Sequence, residues 1–468
     1  MSTSSARSCE TAIDANDDDD DDVALDDAFV GRTRDGATSI SIEGTREETS
    51  VAYVSSYTNV DILAHAPTRH ARHDRDGAER DSSASEDETS GKRNGEDRVV
   101  AVHVIAISEV TGEVRVIRTK TRGNGLENVA FFAKHPRLAR VAYASTERID
   151  ERGKVLALKL LGEDGSDFEV VSEACAGGLS TCYLGFDGAG TRLIAANYWD
   201  AKLTVIPLHE NGETTHAPTM TISRPEAEYV ESAKPTMEEH WRYRQRWAHT
   251  HCVVTEPYER RFHFVVDLGL DKIFIYCVDS MQCVSEVQLP QGKGPRHLVF
   301  HPRIRTAYLV NELDSTVSAF NVHLDDLENP LTSMQCLGSL PVDVQSRKVF
   351  DPRGVWKASS HSSEIRLHPS GKFLLVANRG HDSIAVYSVN QVDGSIELVD
   401  IFASGGKCPR NFNFTPSGNF VIVGNQNSHN LSSFRFETET GRMSLVHCLS
   451  DIVSPNFIWT LPKLGVTE

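Results

Sequence analysis

Two recurring positions in this chain carry side chains able to do chemistry. The first lies six residues ahead of a Pro or Gly and holds Cys182, His251, Arg296, Ser363 and Arg410. The second directly follows Asn197, Asp267, Asn311, Asn378 and Asn425, and holds Tyr198, Leu268, Glu312, Arg379 and Gln426. Guanidinium, imidazole and carboxyl groups in matching register suit a small anion with a group that must gain or lose a proton. The repeat itself does not require the charged members, because other copies carry Cys, Ser, Leu or Gln in the same slots. Plainer readings stand beside this one. The Asn/Asp row also suits turn capping through side-chain to backbone hydrogen bonds, and Arg296 with Glu312 also makes an ordinary ion pair.

The elements that must position these residues are short strands. From Ser362 to Tyr387 the sequence alternates strand-length apolar runs with the turns His368–Gly371 and Asn378–Asp382. The pattern returns over Thr250–Tyr276, Pro295–Phe320 and Pro409–Phe434, and in weaker form over 128–173 and 180–209. Units of about 40–50 residues fall in the range of four-stranded propeller blades. Three such units in the first half and four in the second predict an all-β, seven-bladed β-propeller over residues 49–465. The apolar segment Asn456–Leu461 is expected to complete blade one and remove the open edge. The first two strands of a blade form an antiparallel hairpin. The start of one and the end of the other therefore share an edge, and both slots gather at one mouth of the central channel.

Composition narrows the rest. The chain has 468 residues and a formal charge of −18, which argues against nucleic acid or an anionic membrane as partner. Residues 1–48, with an unbroken Asp17–Asp22 run, read as a disordered acidic tail. Three polar insertions are expected over about 65–98, 210–246 and 343–361, with a short helix within Arg224–Trp247. No apolar run is long enough to span a bilayer and no secretory leader is recognisable. Nine scattered cysteines without a CxxC pair fit reduced thiols and a cytoplasmic protein. His249-x-His251 is a metal-like pair, but no third ligand has matching spacing, so neither metal nor cofactor is expected. His135, His301 and His368 each precede a Pro and read as turn formers.

The segments Gly294–Pro302, Asn311–Val317, Ser363–Gly371, Asn378–Ile384 and Asn425–Asn427 together resemble the lactonase family of seven-bladed propellers. The bacterial-type 6-phosphogluconolactonase and the fungal 3-carboxy-cis,cis-muconate lactonising enzyme belong to it. The resemblance covers about Val51 to Pro462 and is weakest before blade three. It implies that His251, Arg296, Glu312 and Arg379 are catalytic. Asn197, Asn311, Asn378, His381, Arg410 and Asn425 are the expected substrate-binding set. Thr250, Cys252 and the Ser180–Tyr183 segment depart from the family pattern, which bears on substrate choice more than fold. The implied activity is hydrolysis of a small anionic sugar-acid lactone, as in the pentose phosphate pathway, by a monomer or weak homo-oligomer. Glu312 or His251 would be the base, Arg296 would polarise the carbonyl or pair with Glu312, and Arg379 would grip an anionic group. The alternatives are a muconate-type cycloisomerase and a non-catalytic propeller that serves as an interaction platform. Ala at Arg296 or Glu312 is expected to cut turnover and leave thermal unfolding nearly unchanged.

Overall fold

The computed structural model describes residues 49–59, 99–218, 220–223, 244–245, 247–345 and 360–462. These residues form seven four-stranded antiparallel sheets. Blades two to seven begin with their innermost strands, Val129–Lys134, Thr181–Phe186, Thr250–Thr255, Pro295–Phe300, His361–Leu367 and Pro409–Phe414. In blade one the innermost strand is the last of the chain, Pro455–Thr460, which pairs with Thr49–Ser56. Each inner strand packs against those of its two neighbouring blades, so the seven close into a ring with no free inner edge. The chain is a seven-bladed β-propeller.

Burial explains why the second strands are so apolar. The core is divided into seven main clusters, each lying between two neighbouring blades. A middle strand is therefore covered on both faces and loses the alternation of a half-exposed strand. Phe262–Asp267, Thr306–Asn311 and Phe420–Asn425 are buried at every position. Outer strands such as Cys283–Gln288 face solvent and alternate. Tyrosines in second strands staple blades together. Tyr53, Tyr143 and Tyr308 donate to the carbonyls of Gly165, Gly212 and Gly394 in the next blade, at 2.6, 2.6 and 2.7 Å.

The insertions differ from their expected bounds. Met220–Ile222, inside the expected 210–246 insertion, is the fourth strand of blade three. His361, at the expected end of the third insertion, opens the inner strand of blade six, and Val342–Gln345 form one helical turn. The acidic tail, the 65–98 insertion and most of the 224–247 segment expected to hold a short helix lie outside the described residues. His135 and His301 form turns as expected. The Nδ1 of His135 accepts from the backbone of Arg137 and Leu138, and that of His301 from Arg303 and Ile304.

Candidate active site

A local device aims the inner strands at the channel. All seven carry one extra residue relative to the second strand near their start. The extra residue is Asn456, Ala130, Cys182, His251, Arg296 and Arg410 in blades one to five and seven, and in blade six the bulge spans Ser363 and Glu364. A bulge bends the strand and re-aims its side chains. Two consecutive residues can then face the channel, where a regular strand would offer one. Ala130 with Phe131, Arg296 with His297, Arg410 with Asn411, and Asn456 with Phe457 all line one cavity. Its void is about 300 Å³, counting the part open to solvent, and Tyr57, Glu147, Cys182, His251 and Glu364 complete the lining.

The ends of the second strands supply the next ring. Glu312, 1% exposed, sits beside Arg296 because Pro295 pairs with Asn311 across the hairpin. The loop entering this strand is fixed by Asp271, whose carboxylate accepts from the Gly292 and Gly294 amides at 2.8 and 2.7 Å. Gly294 adopts φ +58°, against the Leu313 side chain, and its carbonyl accepts from the Glu312 amide at 2.7 Å. Three guanidiniums surround the Glu312 carboxylate. Arg244 Nη2 lies 2.7 Å from Oε1, and Arg379 Nη2 lies 2.9 Å from Oε2. Arg296 Nε is 3.2 Å from Oε2 but out of line for a hydrogen bond. Burial would raise the Glu312 pKa, yet Arg244, Arg379, His361 and Arg296 together hold it well below the usual carboxylate range.

The cavity side of Arg296 faces two histidines. Its Nη1 donates to the Ser363 carbonyl at 2.5 Å and lies 3.3 Å from both ring nitrogens of His297. Equal distances at that length put the guanidinium over the ring face, since an in-plane approach would collide with Cε1. His297 Nδ1 is 3.4 Å from Glu364 Oε1, and the other Glu364 oxygen accepts from Asn411 Nδ2. Burial would raise the Glu364 pKa, but Arg366 and His297 outweigh it and hold the carboxyl at about 2. Burial and then Arg296 push His297 down to about 4, against the pull of Glu364. His251 packs edge-on to His297 with centroids 5.1 Å apart, and its Nδ1 lies 3.7 Å from the Cys182 sulfur. Burial first, then Arg296 and His297, push it well below 6.5. Both rings are neutral at pH 7. His249 precedes its strand and stacks on Tyr198 at 4.5 Å, while His251 meets the same ring edge-on.

The structure thus joins His251 and Arg296 at the cavity with Arg410, which lies over the Tyr57 ring and 3.8 Å from Glu147. Glu312 and Arg379 join Arg296 from the adjoining ring. The asparagines go elsewhere. The amides of Asn197 and Asn378 donate to Ala176 and Ser339 carbonyls, and those of Asn311 and Asn425 to Ser318 and Ser432 hydroxyls. All four are fully buried, with their amides spent on protein groups within the sheets and the connections between blades. Thr181 and Ser362 donate to the Oδ1 of Asn197 and Asn378. Pro295 and Pro409 take the place of that hydroxyl residue in blades five and seven, and Oδ1 of Asn311 and Asn425 has no partner among the described residues. His381 is held by Ser383 at 2.8 Å rather than by the cavity. Six residues escaped sequence reasoning. Tyr57 and Glu147 directly follow the second strands of blades one and two, and the alignment of blades three to seven, extended backward, would have found them. His297, Glu364 and Asn411 follow the first slot by one residue, a register that the comparison of single slots passes over. Arg244 had no sequence signal.

Comparison with known proteins bears on the family and the fold. The family described as lactonase, 7-bladed beta-propeller, matches residues 91–459. A 6-phosphogluconolactonase of Bacillus subtilis is 30% identical over 64% of this chain and 79% of its own. One from Formosa agariphila is 27% identical over 73% and 90%. The structure of a periplasmic gluconolactonase of Pseudomonas aeruginosa superposes with a TM-score of 0.67 at 21% identity, over 88% of this chain and 99% of that one, a likeness of fold. The chain therefore belongs to the lactonase family of seven-bladed β-propellers.

Proposed function

We propose that this protein hydrolyses the ester bond of an anionic sugar-acid lactone, with 6-phosphogluconolactone as the first substrate to test. One observation carries the reading: arginine, imidazole and carboxylate groups from several blades converge on a single polar cavity of the channel. In the cavity itself Arg296 and Arg410 balance Glu147 and Glu364, and the adjoining ring adds Arg244 and Arg379 against Glu312, formally one positive charge in excess inside a chain of charge −18. That local excess favours a phosphate or carboxylate.

Hydrolysis needs a base for water, donors for the tetrahedral oxyanion, and a grip on the anionic tail. Arg296 and Arg410, both lining the cavity, supply donors and charge. Arg379, ion-paired with Glu312 and donating to the Ser362 carbonyl at 3.1 Å, reaches an anionic group only by exchanging one of these partners. The base is a neutral imidazole, His251 or its neighbour. Glu312, with its basicity lowered by three arginines, is a poorer acceptor at neutral pH. A cytosolic place in the pentose phosphate pathway suits the described cysteines, all free thiols. No helix among the described residues is long and apolar enough to cross a membrane. The test is the rate of ring opening of freshly made 6-phosphogluconolactone, corrected for the spontaneous reaction. A rate no faster than buffer alone, with lactonising activity on a muconate-type diacid, would replace hydrolysis by cyclisation.

A further inference from the structure

The paired histidines of the cavity are not equivalent, and the difference bears on which one moves the proton. A base that accepts a proton becomes a cation, and in a buried site that cation must be compensated. His251 has the Cys182 sulfur at 3.7 Å on Nδ1, with Arg296 and His297 close by. Protonating either ring would add a positive charge next to the Arg296 guanidinium, which lies 3.3 Å from both ring nitrogens of His297; what sets His297 apart is a carboxylate on its own Nδ1. His297 has Glu364, 5% exposed, at 3.4 Å on Nδ1. That carboxylate is itself fixed by Asn411, whose Oδ1 accepts from the Ile458 amide at 2.9 Å. The chain of partners runs from the inner strand of blade five through those of six and seven to that of blade one. It holds Nδ1 as the N–H donor and leaves the lone pair on Nε2.

We propose that His297, oriented by Glu364, is the proton-transfer residue of this site, and that Glu312 serves to hold Arg244, Arg296 and Arg379. The inference rests on the lactonase reading and deepens it. In the step, Nε2 of His297 removes a proton from a water while the water oxygen bonds to the lactone carbonyl carbon. The carbonyl π pair moves onto its oxygen, where Arg296 faces it. On collapse the ring C–O bond breaks, and the imidazolium returns its proton to the departing ring oxygen, which becomes a hydroxyl. The new carboxylic acid releases its own proton to solvent. Glu364 stays ionised throughout, as a counter-charge.

The test uses the full chain and 6-phosphogluconolactone, with kcat/KM followed from about pH 3 to 7 and thermal unfolding as a control. His297→Gln should lower kcat/KM by about 10²–10⁴-fold, the usual worth of a positioned base. The acid limb of the unsubstituted enzyme should fall at about pH 4, the His297 value. The groups acting on that ring are Arg296, Glu364 and Arg366, with Tyr183 and His251 packed edge-on. Removing the one carboxylate among them by Glu364→Gln lowers the imidazole further, so the limb must move to lower pH. A limb unmoved by Glu364→Gln, or a His297→Gln enzyme within about threefold of the parent, overturns the inference and leaves the lactonase reading standing. If His297→Gln does not fold, the Glu364→Gln limb decides alone. An unsubstituted chain without turnover overturns both.

Discussion

Replacing Glu312 by Gln removes one negative charge from among three buried arginines and keeps the side chain's size. The guanidiniums of Arg244, Arg296 and Arg379 are 9, 6 and 8% exposed at the side chain, so solvent can do little to compensate them. At 2.7–3.2 Å and an effective dielectric of about 20, each contact is worth roughly 5 kcal/mol before desolvation. Most of that is cancelled by the cost of burying the charges. Deleting one partner nevertheless strands the others, and the net loss is about 3–5 kcal/mol. A propeller of roughly 400 residues unfolds with an entropy of about 0.8 kcal/mol/K, so Tm should drop by about 4–6 °C at pH 7. This outcome departs from the sequence-based expectation that Ala at Glu312 leaves unfolding nearly unchanged. The sign with pH follows from the lowered Glu312 pKa. Its stabilisation is complete above the unfolded value of about 4.3, and is lost as pH falls through the folded one. The gap between parent and variant should therefore hold from pH 7 to about 5 and shrink below about 4.3. Calorimetry at several pH values measures it, and Arg244→Met added to Glu312→Gln should restore part of the loss. A Tm within about 1 °C of the parent at pH 7 would refute the caged-carboxylate argument.

Other expectations follow from single contacts. Arg410→Met should raise KM for the phosphorylated lactone more than it lowers kcat, since Arg410 supplies positive charge to the cavity; steady-state kinetics with the non-phosphorylated lactone as control would show it. Tyr308→Phe leaves the Gly394 carbonyl without its 2.7 Å donor and should cost about 1 kcal/mol in denaturant unfolding, with activity unchanged. Removal of residues 455–468 takes away the inner strand of blade one, with Phe457, Trp459 and the pairing of Thr49–Ser56. The truncated chain should lose cooperative unfolding and self-associate through the bared edge, a change visible by sedimentation.

The architecture was legible because a propeller repeats one solution to one packing problem. Every second strand lies between two apolar faces, and each hairpin turn recurs at the same offset, so four clear copies were enough to count seven. Met220–Ile222 was missed for the opposite reason. At three residues, with two of them exposed, it carries no apolar period to read. The site was half legible for a subtler reason. Strand alternation assigns one side chain in two to the channel, and the slot six residues ahead of the turn marked His251, Arg296 and Arg410. Hairpin pairing then found Glu312 and Arg379. A bulge breaks the rule at the place where function sits, because an extra residue turns its successor toward the channel as well. His297, Glu364 and Asn411 are such successors, and together they form the hydrogen-bonded run that compensates a proton in the cavity. Arg244 lies beyond any local rule, since its contact with Glu312 spans 68 residues and joins a polar segment to blade five. The repeat thus specifies where a site can be built, and its seven-fold irregularity doubles the side chains available to build it.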